Sequence, residues 1–152
     1  MPKIKTSIRT EEFIQLSQQA SSMGEKNDCS VKAVALVAGV SYEQALVALA
    51  QEGRKNGKGA YTQPILRAVE RCGKNHVRLP VDLIIKSYPK GHCDVLKNVT
   101  THHPARFPAA WKSGTFLMFT TRHVCAIIDG VNHDWTNGRA MRAMSVYRIL
   151  EA

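Results

Sequence analysis

The feature that most constrains the fold is an apolar helix predicted over residues 29–38, bounded at both ends by residues that terminate helices. Asn27 and Asp28 precede it, and their short side-chain oxygens can accept the free N–H groups of a first helical turn. Gly39 follows it and can adopt the positive φ of a helix C-cap without strain. Because apolar residues lie almost all round this segment, we predict a buried central helix.

Cys29 falls at or near the first position of this helix. The unpaired amides and the helix dipole place partial positive charge beside its sulfur. That field favours the thiolate, which is the nucleophilic form of cysteine. A buried structural cysteine is the alternative, because free cysteines are among the most buried residues in proteins. The choice depends on whether a base lies elsewhere in the chain.

Length and composition indicate one domain over residues 10–152, preceded by a mobile basic tail over residues 1–9. A chain of 152 residues with 44% hydrophobic and 22% charged residues can bury a core of its own. The N-terminus lacks the apolar region of a signal peptide. No stretch approaches the roughly 20 apolar residues of a membrane span. We therefore expect a cytoplasmic protein without a transmembrane helix.

The cysteines and histidines do not predict a metal site, a cofactor or a disulfide framework. The four cysteines include no CxxC pair, so a zinc ribbon is not indicated. One cluster contains several potential ligands, but its spacing fits no zinc pattern, and we predict surface loop residues there. Its members are His92, Cys93, His102 and His103.

The net charge of +9 raises the question of a polyanionic partner, such as nucleic acid or an anionic surface. The basic residues are scattered singly along the chain and are not interleaved with aromatic residues. We therefore favour a charge that keeps the protein soluble, with only weak and non-specific nucleic-acid binding. The basic loop over residues 54–60 fits no common phosphate-loop pattern and is predicted to be an exposed, flexible linker.

Helix signals fill the first half of the chain and strand signals fill the last third. Capping residues precede helices at Thr10 and at Ser41 (a capping box with Gln44), and a further helix begins at Thr62 with Pro64 in its first turn. The middle is less regular, with strands or a crossover over residues 76–81 and 83–85 and a short helix over 104–111. Four strands are predicted at the end, over residues 115–120, 122–128, 131–135 and 146–150. Helices followed by an antiparallel sheet constitute an α+β fold.

Asp129-Gly130 sets the register of the last hairpin, because a type I′ turn requires positive φ at both central residues. With this turn, Ile127 pairs with Asn132. Asp134 then lies diagonally from His123 on the same face of the sheet, at a distance that the two side chains can bridge. A slip of one residue would turn Asp134 to the other face.

His123 and Asp134 could therefore serve as a general base and the carboxylate that orients it. Taken alone, His123 would be interpreted as a strand-end residue satisfied by solvent, and Asp134 as a surface acid. When Cys29 is considered with them, a catalytic role becomes the better interpretation of both residues. An early helix-terminal cysteine, a late strand histidine and an acid on the adjoining strand occur in the order expected of a Cys-His-Asp triad.

Three segments of the chain resemble the papain-like cysteine peptidase superfamily. They are residues 27–33, read as NDCSVKA, Tyr61-Thr62, and residues 123–130, read as HVCAIIDG, which Asp134 follows. The resemblance is closest to small bacteriophage-encoded members and to bacteriocin leader-processing peptidases. It implies a papain-like fold, with Cys29 as the nucleophile, His123 as the general base and Asp134 as the third member. It also implies a phage origin, with action in the host cytoplasm or in the virion.

One position departs from that family. Its peptidases commonly carry a glutamine ahead of the cysteine that completes the oxyanion hole, and Met23 occupies this position here. Gln18 and Gln19 lie further back. Asn27 could supply an amide instead, together with the backbone N–H of Cys29. One missing donor would weaken transition-state stabilisation by about 3 kcal/mol.

These observations predict a cysteine hydrolase, either a peptidase or an amidase. Its substrate would be a peptide, an isopeptide, a cell-wall amide or a glutamine side chain, and the sequence does not distinguish among them. The alternative is a non-catalytic basic protein that keeps the same fold and binds nucleic acid or a host protein.

Overall fold

The computed structural model describes residues 9–79, 99–100, 113–120, 122–136, 140–141 and 144–151. Helices occupy the first half of the chain: α1 Glu11–Ser22, α2 Cys29–Ala38, α3 Tyr42–Gln51 and α4 Thr62–Arg71. Strands follow: β1 Lys74–Leu79, β2 Val99–Thr100, β3 Thr115–Thr120, β4 His123–Ile128, β5 Val131–Asn132, β6 Ala140–Met141 and β7 Ser145–Glu151. Residues 1–8 of the tail predicted over 1–9, and the predicted elements over 83–85 and 104–111, lie outside the described residues.

Five strands form one antiparallel sheet in the spatial order β1–β7–β3–β4–β5, and β2 pairs with β6 separately. The last strand of the chain, β7, therefore lies between β1 and β3. Met118 in β3 pairs with Cys125 on one side and with Val146 on the other. Four helices and a five-stranded antiparallel sheet confirm the α+β class.

The central position predicted for α2 is confirmed. Val31 and Val34 are completely buried, and Gly39 ends the helix with a φ of 67°. The helix packs against α3, α4 and β4. Its side chains belong to a large apolar cluster that also includes Leu117 and Ala126 on the near face of the sheet. A smaller cluster covers the other face, and Cys125 is part of it. Cys125 is therefore a core residue, as predicted.

The predicted helix starts agree with the structure. The Thr10 hydroxyl accepts the N–H of Phe13 at the start of α1. Ser41 and Gln44 form both hydrogen bonds of a capping box at the start of α3. These caps satisfy N–H groups that the first turn of a helix leaves without partners.

Several strand boundaries differ from the prediction. The strand predicted from residue 122 begins at His123, because Arg122 has a φ of 61°, outside the range of extended backbone. The strand predicted over residues 131–135 contains only Val131–Asn132. The chain turns after it, since the backbone N–H of Thr136 bonds to the Asp134 side chain rather than to a neighbouring strand. The strand predicted over residues 76–81 begins earlier, at Lys74.

Within the described ranges, no single helix is long and apolar enough to cross a membrane. Only α2 and α3 taken together pass by length and composition, and they meet at a bend of 113°.

Candidate active site

The N-terminus of α2 and the start of β4 bring Cys29 and His123 together. Cys29 is the first residue of the helix and is half-buried. His123 is the first residue of the strand against which that helix packs. The two side chains are neighbours: both line the same two cavities, and the proximity of Cys29 raises the pKa of His123. The pairing of a cysteine with a potential base, predicted from the sequence, is therefore present in the structure.

The β4–β5 hairpin brings Asp134 to the same histidine. Asp129 and Gly130 have positive φ values of 50° and 80°, and Ile127 pairs with Asn132, as predicted. Beyond β5 the N–H of His133 donates to the carbonyl of Ala126 at 2.9 Å, which keeps the register for one more residue. The Nε2 atom of His123 then lies 2.6 Å from Oδ2 of Asp134.

The ring of His123 thus lies between two polar neighbours, Asp134 and Cys29. Nε2 faces the carboxylate of Asp134, which is 2% exposed. Cys29 is the other neighbour of the ring, and its proximity contributes to the raised pKa of His123. A base needs this arrangement, because the carboxylate fixes the orientation of the imidazole and stabilises its protonated form.

The environment of His123 favours the imidazolium. Burial by itself lowers the pKa of this side chain. The hydrogen bond to Asp134, the negative charge of that carboxylate and the proximity of Cys29 together outweigh burial and raise the pKa from 6.5 to about 10. At neutral pH the ring is therefore positively charged beside the sulfur.

Thr136, which the sequence did not point to, holds Asp134, and Asn132 holds Thr136. The Thr136 hydroxyl donates to Oδ2 of Asp134 at 2.5 Å, and the Thr136 N–H donates to the same oxygen at 3.2 Å. The amide of Asn132 in turn donates to the Thr136 hydroxyl at 3.1 Å. All three side chains are buried. The carboxylate is therefore fixed by a chain of hydrogen bonds that contains no solvent-exposed member.

Asp28 does not cap α2 with its side chain, contrary to the prediction. It occupies the N-cap position without a capping hydrogen bond. Its carboxylate accepts the hydroxyl of the buried Tyr42 at 2.7 Å and pairs with Lys32 at 3.2 Å. Burial and the Asp28 hydrogen bond raise the pKa of Tyr42, so its hydroxyl stays a donor. The carboxylate therefore bonds to these stronger partners instead of to the amides of its own helix. Its bond to Tyr42 connects α3 with the start of α2.

Asn27, the predicted oxyanion donor, is exposed next to Cys29 and has a φ of 51°. Its Nδ2 donates to the carbonyl of Gly57 at 2.9 Å, so one of its N–H groups is used to hold a loop. Met23 is the C-cap of α1 and is 47% exposed, and Gln18 and Gln19 are also exposed. The backbone N–H of Cys29, in the first turn of α2, has no intrahelical acceptor and remains a candidate donor.

The loop over residues 54–60 is not the free linker that was predicted. Arg54 is 7% exposed and pairs with Glu25 at 3.0 Å. The same carboxylate accepts the N–H of Gly57 at 3.1 Å. Local sequence signals give no indication of these contacts, because the partners lie about thirty residues apart in the chain. Gly59 and Ala60 of this loop line a cavity together with Cys29.

Two cavities meet at Cys29 and His123. One has a volume of about 450 Å³ and includes the buried apolar side chains of Ile65, Phe119 and Val124. The other has a volume of about 480 Å³. It includes Phe13, Lys32, Asp134 and Trp135, whose ring centroid lies 5.4 Å from that of His123. Both cavities are lined by Cys29, Gly59, Arg122 and His123. A substrate can therefore extend to either side of the sulfur.

No group of three or more His, Cys, Asp or Glu side chains that could hold a metal ion occurs in the part of the chain that the structure describes. The candidate ligands His92, Cys93, His102 and His103 lie outside that part, so the prediction of a loop without metal stays a prediction.

Comparisons with known proteins returned no match. No family model, no curated protein and no solved structure matches this chain.

Proposed function

We propose that this chain is a cysteine hydrolase of papain-like architecture that cleaves a peptide, isopeptide or other amide bond. The observation that carries the proposal is the position of His123, which lies beside Cys29 and is hydrogen-bonded to Asp134. A nucleophile, a base and a group that orients the base are the parts that acyl transfer through a cysteine requires. A helix that begins at the nucleophile and packs on an antiparallel sheet supports the papain-like architecture.

In the first half of the reaction, the Cys29 thiolate attacks the carbonyl carbon of the scissile bond. The carbonyl oxygen becomes an oxyanion, and the backbone N–H of Cys29 is available to stabilise it. The His123 imidazolium gives its proton to the leaving nitrogen as the C–N bond breaks. The products are a free amine and a thioester on Cys29.

In the second half, a water molecule attacks the thioester carbonyl. His123, now neutral, takes a proton from this water. Collapse of the second tetrahedral intermediate breaks the C–S bond and releases a carboxylic acid, and the thiolate–imidazolium pair is restored. Asp134 keeps its negative charge throughout and stabilises the imidazolium each time that it forms.

Selective alkylation of the cysteines tests this proposal without a known substrate. We expect iodoacetamide at near-neutral pH to label Cys29 well ahead of the other three cysteines. Burial raises the pKa of both Cys72 and Cys125, so their thiols should react slowly. Peptide mapping by mass spectrometry measures the rate at each cysteine, including Cys93. Replacing the base, His123→Ala, should slow the labelling of Cys29.

Equal labelling of all four cysteines would contradict the proposal. It would favour the alternative, a basic protein without turnover. Submicromolar binding of DNA at physiological salt, with a steep dependence on salt concentration, would favour the same alternative.

A further inference from the structure

We propose that Arg122 binds a carboxylate of the substrate and so directs the enzyme to peptides that carry a carboxylate near the scissile bond. This inference rests on the proposed function, because it assigns the substrate class of the same site. It follows from the position of Arg122, from the pairing of the acidic groups around it and from the geometry of guanidinium–carboxylate contacts.

Arg122 lies where a bound substrate would have to pass. It directly precedes His123 and lines both of the cavities that meet at Cys29. Its side chain is exposed, so the guanidinium is accessible from the cleft. Its φ of 61° is unusual for a residue with a side chain and directs the chain into β4 at this point.

The carboxylates around the cleft are already engaged by other groups. Asp134 accepts from His123 and Thr136, and Asp28 accepts from Tyr42 and pairs with Lys32. A third carboxylate, that of Glu25, pairs with Arg54 and accepts the N–H of Gly57.

Arg122 itself takes part in none of the ion pairs formed among the residues that the structure describes. The charge that faces an incoming ligand between the two cavities is therefore positive. An uncharged substrate would leave this guanidinium without a partner in the cleft.

A guanidinium recognises a carboxylate through two parallel N–H···O bonds, which gives both charge and shape selectivity. The substrate should therefore carry a carboxylate within reach of the scissile bond. An acidic side chain and a free C-terminal carboxylate are the two sources of this group in a peptide. Both would satisfy Arg122, and an experiment can separate them.

Three alkylating probes that react through the same C–I bond provide the test. N-iodoacetyl-glutamine amide is neutral, N-iodoacetyl-glutamic acid amide carries a side-chain carboxylate, and N-iodoacetyl-glutamine carries a C-terminal carboxylate. In each case the Cys29 thiolate forms a C–S bond and iodide leaves with the electrons of the C–I bond. The measured quantity is the labelling rate of Cys29 with each acidic probe divided by its rate with the neutral probe.

We expect at least one acidic probe to show a ratio about threefold to fivefold higher in the wild type than in Arg122→Gln, in the range of an exposed ion pair. In Arg122→Glu this ratio should be lower still than in Arg122→Gln. The probe that responds identifies the source of the carboxylate. Arg67→Gln is the matched control, because it removes the same charge from an exposed position in α4 that lines neither cavity. The control should keep the wild-type ratio.

The inference is overturned if both acidic probes give the same ratio in the wild type and in Arg122→Gln. It is also overturned if Arg67→Gln lowers the ratio as much, because the effect would then come from net charge. Failure of the proposed function has a different signature. In that case the neutral probe would label Cys29 no faster than the other cysteines, while the ratio at Cys29 would still report on Arg122.

Discussion

Nε2 of His123 lies 2.6 Å from Oδ2 of Asp134, and the same oxygen accepts both the hydroxyl and the backbone N–H of Thr136. Three donors thus converge on one carboxylate oxygen in a buried position. Asp134 and Thr136 both lie just after β5. The β4–β5 hairpin therefore positions this oxygen and, through it, the imidazole. The proposed base is therefore positioned by a turn, Asp129-Gly130, that lies at the opposite end of β4.

The first prediction concerns the titration of His123. Its pKa is raised from 6.5 to about 10, so the imidazolium should persist to alkaline pH. Its contribution to the free energy of unfolding should be complete below pH 6.5 and should be lost as the pH rises through 10. Asp134→Asn removes a charge and a hydrogen bond that raise the pKa, and should lower it. An NMR titration of the histidine ring protons measures both values.

Asp129→Asn is the control for this titration. It makes the same chemical change on the same hairpin, where Oδ1 of Asp129 accepts the N–H of Gly114 and does not contact His123. The pKa of His123 should stay near that of the wild type. An unchanged pKa in Asp134→Asn would show that the carboxylate does not stabilise the imidazolium.

The second prediction concerns turnover in the same variant. Asp134→Asn should leave the fold intact and lower turnover roughly 10- to 100-fold, less than the loss of the orienting carboxylate costs a serine triad. The effect is smaller because a cysteine thiolate and an imidazolium form before substrate binds. The rate of p-nitrophenyl acetate hydrolysis measures this loss of turnover. Full activity in Asp134→Asn, with loss of activity in Asn132→Ala or Asn137→Ala, would identify a different third residue.

The third prediction concerns Thr136. Thr136→Val keeps the shape of the side chain but leaves the buried amide of Asn132 without its acceptor, and Asp134 loses a donor. The free energy of unfolding should fall by about 1–3 kcal/mol. Urea denaturation measures this change. Thr115→Val, at a half-buried position in β3, is the control and should stay within about 0.5 kcal/mol of the wild type. Equal effects in both variants would argue against a special role for the Thr136 hydroxyl.

The fourth prediction concerns the hydrogen bond between Tyr42 and Asp28, the residue that precedes Cys29. Tyr42→Phe removes the hydroxyl that donates to the buried carboxylate of Asp28. Hydrogen bonds to charged groups contribute about 1.5–3 kcal/mol, and the free energy of unfolding should fall by about that amount. Tyr61→Phe makes the same change at a residue that is 87% exposed and should have little effect. If the two variants are equally stable, the Asp28–Tyr42 hydrogen bond does not support the start of α2.

Local sequence signals were sufficient for the helices and for the hairpin. The end of α2 followed from Gly39, and the register of β4 and β5 followed from Asp129-Gly130. Each of these signals acts over a few residues, where backbone preferences decide the structure. The contact between His123 and Asp134 could be predicted because it depends only on that register.

The contacts that the sequence did not indicate join residues distant along the chain or depend on how a turn closes. Asp28 bonds to Tyr42 in another helix instead of capping its own, and Glu25 holds a loop that looked like a free linker. Thr136 was missed because a strand was expected to continue past Asn132. Tertiary partners that are stronger than the local ones decided each of these cases.

The most direct test of the central claim is the mass of the protein after brief exposure to p-nitrophenyl acetate. The account predicts one acetyl group on Cys29, with release of p-nitrophenolate, followed by loss of the acetyl group to water and repeated turnover. Cys29→Ala should form no acetylated protein at this position and should release no p-nitrophenolate above the background of buffer and surface lysines. Turnover that survives in Cys29→Ala, or acetylation of the wild type only at lysines, would contradict the cysteine hydrolase.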